Sequence, residues 1–132
     1  MTLIVVGYVD KPEGRAALRR GVEEAELRQG GLLVVDSLRT ESQPPSAQDA
    51  SLAEAKRRLE AGGLSYELHE SETLVEPAEQ LVVLAEQRSA DFIVIGLRRR
   101  SPVGKLILGS NAQRVLLDAP CPVLAVKAEE TG

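Results

Sequence analysis

Five short apolar stretches alternate along this chain with segments of helical periodicity, and that alternation limits the fold more than any other feature. Thr2–Val9 and Asp91–Ile95 are rich in β-branched residues and lack polar alternation, which is typical of strands buried on both faces. Leu32–Val35 is a shorter apolar strand, and Val123–Val126 is the last one. Leu64–Glu70 alternates apolar and polar residues, which indicates a half-exposed strand near a sheet edge.

Four segments between and after these strands have the signals of helices. The spacing predicts helices over about Pro12–Gln29, around Leu52–Leu59, from Pro77 onwards, and over about Ser110–Leu117. Strict alternation of strand and helix favours right-handed crossovers, and therefore an α/β fold: an open, doubly wound parallel sheet of five strands with helices on both faces. Ligands of such sheets bind beyond the carboxyl ends of the strands, so the loops after Val9 and Ile95 are expected to flank the site.

The size of the chain suits one domain, and we expect residues 1–132 to form a single unit. Its 132 residues can bury one core and leave little room for a second. Hydrophobic residues make up 43% of the chain and charged residues 27%, a balance that favours a folded state over disorder.

Composition also argues against several classes of function. Aromatic residues make up 2%, too few to build stacking platforms for nucleic acid, and a net charge of −4 repels phosphate backbones. A single cysteine, Cys121, fits a reducing cytoplasm and leaves no internal disulfide framework. We find no targeting segment, no membrane span and no cluster of metal ligands in the sequence, so we expect a cytoplasmic protein without nucleic-acid or membrane partners.

The stretch from Gly96 to Ser110, GLRRRSPVGKLILGS, leaves a buried strand and ends at a helix start. It resembles the nucleotide loop of the universal stress protein family, whose ATP-binding branch has glycine, two residues, glycine, nine residues, then glycine and serine or threonine. Gly96, Gly109 and Ser110 match that pattern at the right separation. Arg99 stands in place of the second glycine.

The resemblance covers nearly the whole chain. Asp10 ends the first strand as the family's aspartate does, and Ala119–Val126 is similar to the family's closing strand. Lys11–Pro12 replaces the small Gly-Ser pair that usually follows the aspartate. The resemblance implies an adenine nucleotide alpha hydrolase-like fold with strand order 3-2-1-4-5.

For function, the resemblance implies a cytoplasmic stress-response homodimer that binds ATP or AMP with slow or no hydrolysis, with magnesium accompanying ATP. Asp10 then contacts the ribose or adenine, and Val35 lies under the base. Free backbone N–H groups at Gly109, Ser110 and the next residue, Asn111, form an anion site at a helix start. Near them, the guanidinium groups of Arg98 and Arg99 supply positive charge in place of the missing glycine. The dimer forms through the last strand, residues Val123, Leu124, Ala125 and Val126, if that strand is a free sheet edge.

Several alternatives remain open from the sequence. Ser110 and Asp10 are equally explained as helix caps, Gly96 and Gly109 as turn residues, and Val35 as core. The departures at Arg99 and Lys11–Pro12 favour a nucleotide-free family member that docks another protein. A more remote alternative is an electron-transfer flavoprotein-like half-domain. The sequence shows neither a general base nor a nucleophile with its orienting group, so catalysis is the weakest interpretation. His69 is interpreted as a surface residue and Cys121 as a packing residue.

Overall fold

The computed structural model describes residues 2–36, 48–70, 76–100 and 105–128. Six strands and four helices are formed by these residues. In chain order they are β1 (Leu3–Tyr8), α1 (Pro12–Arg28), β2 (Gly31–Asp36), α2 (Ala50–Ala61), β3 (Tyr66–Glu70), α3 (Pro77–Gln87), β4 (Phe92–Arg100), β5 (Lys105–Ile107), α4 (Ser110–Asp118) and β6 (Val123–Lys127). The sequence also predicts a polar loop over Ser37–Asp49, and most of it lies outside the described residues.

Five of the strands form a parallel sheet in the order β3-β2-β1-β4-β6. The predicted order 3-2-1-4-5 is therefore confirmed, with β6 as the fifth parallel strand. Each crossover carries a helix, and the strand order reverses between β1 and β4. That reversal creates a crevice at the carboxyl ends of these two strands, which is the usual ligand position in open α/β sheets.

Two apolar cores lie on opposite faces of the sheet. On one face, α1 and α2 pack through Leu18, Val22 and Leu59 against the strand residues that point toward them. On the other, α3 and α4 pack through Leu81 and Val115 against the alternate strand residues. Helices on both faces explain why the central strands are apolar throughout, as the sequence predicted.

The strand predicted over Asp91–Ile95 was expected to end before Gly96, and this prediction is wrong. β4 continues through Gly96 to Arg100, and its end pairs antiparallel with β5, in the register Arg98 with Ile107 and Arg100 with Lys105. A basic run can form a strand here because a second strand supplies backbone hydrogen bonds, whatever the side chains. The sequence after Gly96, with Arg98, Arg99 and Arg100, predicts a basic loop, and the structure instead places these arginines in a strand paired with β5.

Within the described ranges, none of the helices combines the length and the apolar character needed to cross a lipid bilayer.

Candidate functional site

A cavity of about 120 Å³ opens at the carboxyl ends of β1 and β4, where the strand order reverses. The starts of three helices surround it, so its walls are contributed by segments that are distant in sequence. Residues from each wall are Gly7 and Val9 of β1 and its following turn, Glu13 of α1, Ala78 of α3, Gly96 of β4 and Asn111 of α4.

Two glycines allow the start of α1 to lie very close to the sheet beside this cavity. A Cβ atom on Gly96 would lie 1.9 Å from the backbone oxygen of Glu13, and one on Gly14 would lie 1.9 Å from the backbone oxygen of Val9. Such distances are far below any van der Waals contact, so both positions need glycine for the close approach itself. Gly96, predicted as a site residue, does line the cavity, but the requirement for glycine there comes from packing.

The described lining of the cavity is mostly apolar, with two polar side chains. Glu13 is the one ionisable residue among the described lining residues, and Asn111 adds an amide that can donate and accept. Apolar walls with a few convergent polar groups suit a neutral ring or sugar with hydroxyl or amino donors. A phosphate is a poor fit close to Glu13, because the two negative charges repel.

The start of α4 forms the other part of the site. Gly109 is the N-cap residue, with φ −65° and ψ 165°, and no side chain caps the first turn. Helix geometry leaves the first backbone N–H groups without intrahelical acceptors, and the helix dipole favours an anion beside them. A Cβ atom at Gly109 would have no heavy atom of the described residues within 4 Å. Neither contacts nor backbone angles therefore require glycine at this position.

The structure excludes one of the two interpretations of Ser110, that of a helix cap. Ser110 is the first residue of α4 and is exposed, while Gly109 occupies the cap position, so the capping interpretation of Ser110 is wrong. The physical reason is that the chain becomes helical one residue earlier than a serine cap would require. Asn111 lies one residue further on and lines the cavity.

Asp10 is exposed and lies outside the cavity lining, although its neighbour Val9 belongs to it. Its carboxylate accepts a hydrogen bond from Nη1 of Arg15 at 2.9 Å. The capping interpretation of Asp10 is also wrong: Lys11 is the N-cap residue of α1, without a side-chain bond, because Pro12 already takes the first helical position. Asp10 is therefore held by an ion pair on the rim of the crevice.

Val35 is fully buried in the core on the α3 and α4 face, which confirms the core interpretation. It does not line the cavity, but it pairs in register with Gly7, which does. A ligand in this cavity would contact Val35 only if the cavity widened toward β2.

Arg98 lies exposed on the extended end of β4. The backbone of Arg99 pairs with Leu106, and the side chain of Arg99 lies outside the described residues. The cavity thus brings together Gly96 and Asn111, with Gly109 and Ser110 next to it in sequence. Of the other predicted site residues, Asp10, Val35 and Arg98 are not among the described residues that line it.

A second polar cluster, missed from the sequence, lies at the carboxyl edge on the α1 and α2 face. Tyr8 is fully buried, and its hydroxyl donates to Oδ2 of Asp49 at 2.6 Å. Oδ1 of Asp49 accepts from the backbone N–H groups of Ser51 and Leu52 at 2.9 and 3.2 Å, so Asp49 caps α2. Burial and then the Asp49 carboxylate raise the pKa of Tyr8. An aspartate just before an apolar helix was the signal that could have identified this cap.

Neighbouring Tyr66 packs against the same core from β3. Burial, followed by the charges of Asp36 and Asp49, raises the pKa of Tyr66 to about 12. Both tyrosines therefore stay neutral at physiological pH, and their role in this cluster is packing and hydrogen bonding.

His69 and Cys121, interpreted from the sequence as non-catalytic, both contact other parts of the fold. His69 is half-buried rather than a surface residue, and its Nε2 lies 2.7 Å from Nε2 of Gln80 on α3. Cys121 packs against the core on the α3 and α4 face, as predicted, and burial raises the pKa of its thiol. Across the described ranges, no three histidine, cysteine or acidic side chains form a group that could hold a metal ion.

Comparison with known sequences gives a consistent match over almost the whole chain. The sequence model of the Universal stress protein family matches residues 1–127. A universal stress protein from Mycolicibacterium smegmatis is 41% identical over 127 residues, which cover 95% of this chain and 97% of that protein.

Comparison with solved structures gives the same result. The structure of a universal stress protein from Archaeoglobus fulgidus superposes with a TM-score of 0.71 at 32% identity, covering 96% of this chain and 94% of that one. A universal stress protein from the same organism, solved in complex with dAMP, superposes with a TM-score of 0.66 at 27% identity. It covers 96% of this chain and 98% of that one.

Proposed function

This chain belongs to the universal stress protein family, and from that premise we propose that it binds an adenine nucleotide, AMP or ATP, as a regulatory ligand. The binding site in this proposal is the cavity at the carboxyl ends of β1 and β4 together with the start of α4. A cytoplasmic role in the stress response completes the proposal, supported by the family and by the presence of a single cysteine.

The observation that carries the proposal is Gly109. It caps α4 with no side chain on the first-turn N–H groups, and a Cβ atom there would point into space free of described atoms. Glycine at such a position lets a ligand approach the backbone closely, and the helix start supplies N–H donors for a phosphate. The Ser110 hydroxyl is exposed beside them and adds a further donor.

The cavity next to Gly109 suits the nucleoside end. Its volume of about 120 Å³ is below the roughly 300 Å³ of a pocket that encloses a whole ligand. It therefore takes only the base or the ribose, and the phosphates lie outside it. Glu13 determines which end of the nucleotide enters the cavity, because its carboxylate accepts hydrogen bonds from hydroxyl or amino groups and repels phosphate.

The choice of adenine rests on a relative. The Archaeoglobus fulgidus protein that is 27% identical over nearly the whole chain was solved in complex with dAMP. Turnover of ATP is expected to be slow, because Glu13 is the single ionisable group among the described lining residues. Phosphoryl transfer needs an oriented nucleophile and groups that neutralise the developing charge.

Thermal unfolding in the presence of nucleotides tests the proposal. AMP and ATP, the latter with and without magnesium, are titrated against the purified protein, with GMP and inorganic phosphate as controls. A ligand that binds only the folded state at 100 times its Kd stabilises that state by about 2.7 kcal/mol. We expect AMP or ATP to raise the midpoint in a saturable way and GMP and phosphate to have smaller effects.

The variant Ser110→Ala should reduce the nucleotide effect while leaving the unliganded midpoint within about 1 °C, because Ser110 is exposed and does not cap α4. No shift with any adenine nucleotide at millimolar concentration would refute the proposal.

One observation favours a second candidate function, a nucleotide-free module that docks another protein. Asp10, which in the resembling family meets the nucleoside, is already bound to Arg15 at 2.9 Å. A ligand hydroxyl has to compete with that ion pair. The absence of a nucleotide effect, together with retention of a specific protein partner, would favour this candidate.

We further propose a homodimer formed through β6. Of the described strands, only β4 pairs with β6, so the other edge of β6 presents backbone groups to solvent. Pro122 accepts from Ile93, and Ala128 donates to Leu97, both on the β4 side. Because backbone N–H groups alternate in direction along a strand, the N–H of Ala125 points away from β4 and toward a second copy. Antiparallel pairing of two β6 edges then closes the dimer about a two-fold axis.

The substitution Ala125→Pro tests the dimer. Proline removes the outward N–H of Ala125 and leaves the inward hydrogen bonds to β4 in place, so a sheet edge tolerates it. Sedimentation velocity is expected to show a dimer for the parent protein and for Ala125→Val, and a monomer for Ala125→Pro. A parent protein that stays monomeric across the concentration range would contradict the dimer.

A further inference from the structure

A second cavity, of about 280 Å³, lies between α1 and α2, on the sheet face opposite the nucleotide cavity. Its floor is made by buried apolar side chains of both helices, Leu18 and Val22 from α1 and Ala55 from α2. We refer to it as the interhelical groove. Its volume is close to the lower limit, about 300 Å³, of sites that enclose small ligands.

The rim of the interhelical groove is basic. Arg15 and Arg19 from α1 and Arg58 from α2 line it, against a single acidic residue, Glu54. Glu54 is paired with Arg57, which lies outside the groove. The described lining residues of the groove therefore carry three positive charges and one negative charge, on a chain whose net charge is −4.

Two of these arginines keep hydrogen-bond donors for a ligand. Arg15 uses Nη1 toward Asp10, and Arg58 uses Nε and Nη2 toward Glu26. Each guanidinium carries five N–H donors in a planar fork, so both retain donors beyond these contacts. Exposed ion pairs of this kind add little to stability and can share an arginine with an incoming carboxylate.

An apolar floor below a ring of guanidinium groups matches a ligand with two parts. The alkyl part buries its surface against Leu18, Val22 and Ala55, and an anionic head accepts forked hydrogen bonds from the arginines. We propose that the interhelical groove is a binding site for a small anionic amphiphile, a carboxylate on a short alkyl chain.

Octanoate is the probe, titrated into the full-length protein and followed by two-dimensional ¹H–¹⁵N NMR. We expect saturable shifts of the amide signals of α1 and α2 around the groove, and no comparable shifts with octylamine. The cationic probe has the same chain and the opposite charge, so it isolates the contribution of the arginines. Equal binding of octylamine would overturn the proposal.

Two variants and one matched control locate the site. Arg58→Gln should weaken octanoate binding about tenfold, since it removes one charged fork. Ala50→Phe keeps all three arginines and fills the groove from an exposed lining position at the start of α2, so it should also weaken binding about tenfold. Lys56→Gln removes a neighbouring positive charge on the same helix that does not line the groove, and it should leave the affinity within twofold.

Circular dichroism verifies that each variant is folded before titration. Binding that is unaffected by both Arg58→Gln and Ala50→Phe, or shifts confined to residues outside α1 and α2, would refute the proposal. The nucleotide proposal is unaffected by that result, because its cavity lies on the other face of the sheet.

Discussion

Replacing Gly96 by alanine should destabilise the fold strongly, because the new methyl group would overlap the backbone of α1. Its Cβ would lie 1.9 Å from the backbone oxygen of Glu13 and 2.5 Å from the backbone carbon of the same residue. Even a close carbon–oxygen contact is about 3.3 Å, so the start of α1 has to move by more than about 1 Å. A flexible side chain could turn aside, but both atoms belong to the main chain.

The loss of unfolding free energy in Gly96→Ala can be estimated from the packing of α1. Overpacking a core typically costs 1–3 kcal/mol, and we expect a value of about 3 kcal/mol because a helix must shift. Ala16 and Ala17 lie in the same first turns of α1 and are buried, so the shift also disturbs their contacts. For a chain of this size 1 kcal/mol corresponds to roughly 4 °C, which predicts a fall in the melting temperature of about 12 °C.

Chemical denaturation of the parent protein and Gly96→Ala measures this difference, and Gly109→Ala is the matched control. A Cβ at Gly109 meets no described atom within 4 Å, and its φ of −65° is allowed for any residue. Its stability should therefore stay within about 1 kcal/mol of the parent, the scale of a helix-cap change. A Gly96→Ala protein as stable as Gly109→Ala would show that the contact between β4 and α1 is looser than described.

Two further predictions concern the polar cluster at the carboxyl edge. Asp49→Ala should lower the free energy of unfolding by about 2–4 kcal/mol, measured by urea denaturation. It removes the cap on the N–H groups of Ser51 and Leu52 and the carboxylate that accepts from the buried hydroxyl of Tyr8. A loss below about 0.5 kcal/mol would contradict this reasoning. For Tyr66, the folded pKa of about 12 lies above the ordinary value of 10, so its stabilising contribution is complete below pH 10 and is lost as pH rises from 10 to 12. Tyr66→Phe should therefore flatten the fall in stability over that range, and an unchanged pH profile would exclude Tyr66 as a cause of it.

The order of elements could be predicted because burial leaves a clear pattern. Ile4, Val5 and Val6 are all buried, and so are Ile93 and Val94, as expected for central strands covered on both faces. β3 alternates in sequence and is indeed an edge strand. These patterns depend only on whether each side of the sheet is buried or exposed, and the order of apolar and polar residues in the sequence shows that.

The extension of β4 could not be predicted in the same way. Glycine after an apolar run is usually a strand breaker, yet Gly96 lies within β4, where it pairs with Val126 of β6. The pairing of Arg98–Arg100 with β5 depends on backbone hydrogen bonds between segments whose side chains carry no strand pattern. Tertiary contacts, and not local preference, decide both features.

The candidate site was predicted in part. Gly96 and Asn111 line the cavity, and Gly109 is the N-cap residue of the helix beside it, because these residues share one sequence segment. The other walls are apolar or small residues such as Ala78 and Leu81, whose composition is that of any core. They become a binding surface only through their position at the reversal of strand order, which the sequence does not show residue by residue.

The most direct test of the central claim is isothermal titration calorimetry of AMP with the parent protein and with Gly109→Ala. Our account predicts saturable binding of one AMP per chain, weakened at least tenfold in Gly109→Ala, since a methyl group obstructs the phosphate at the start of α4. The unfolding free energy of that variant should remain close to the parent value. Absence of binding at millimolar AMP, or equal affinity of the two proteins, would contradict the account.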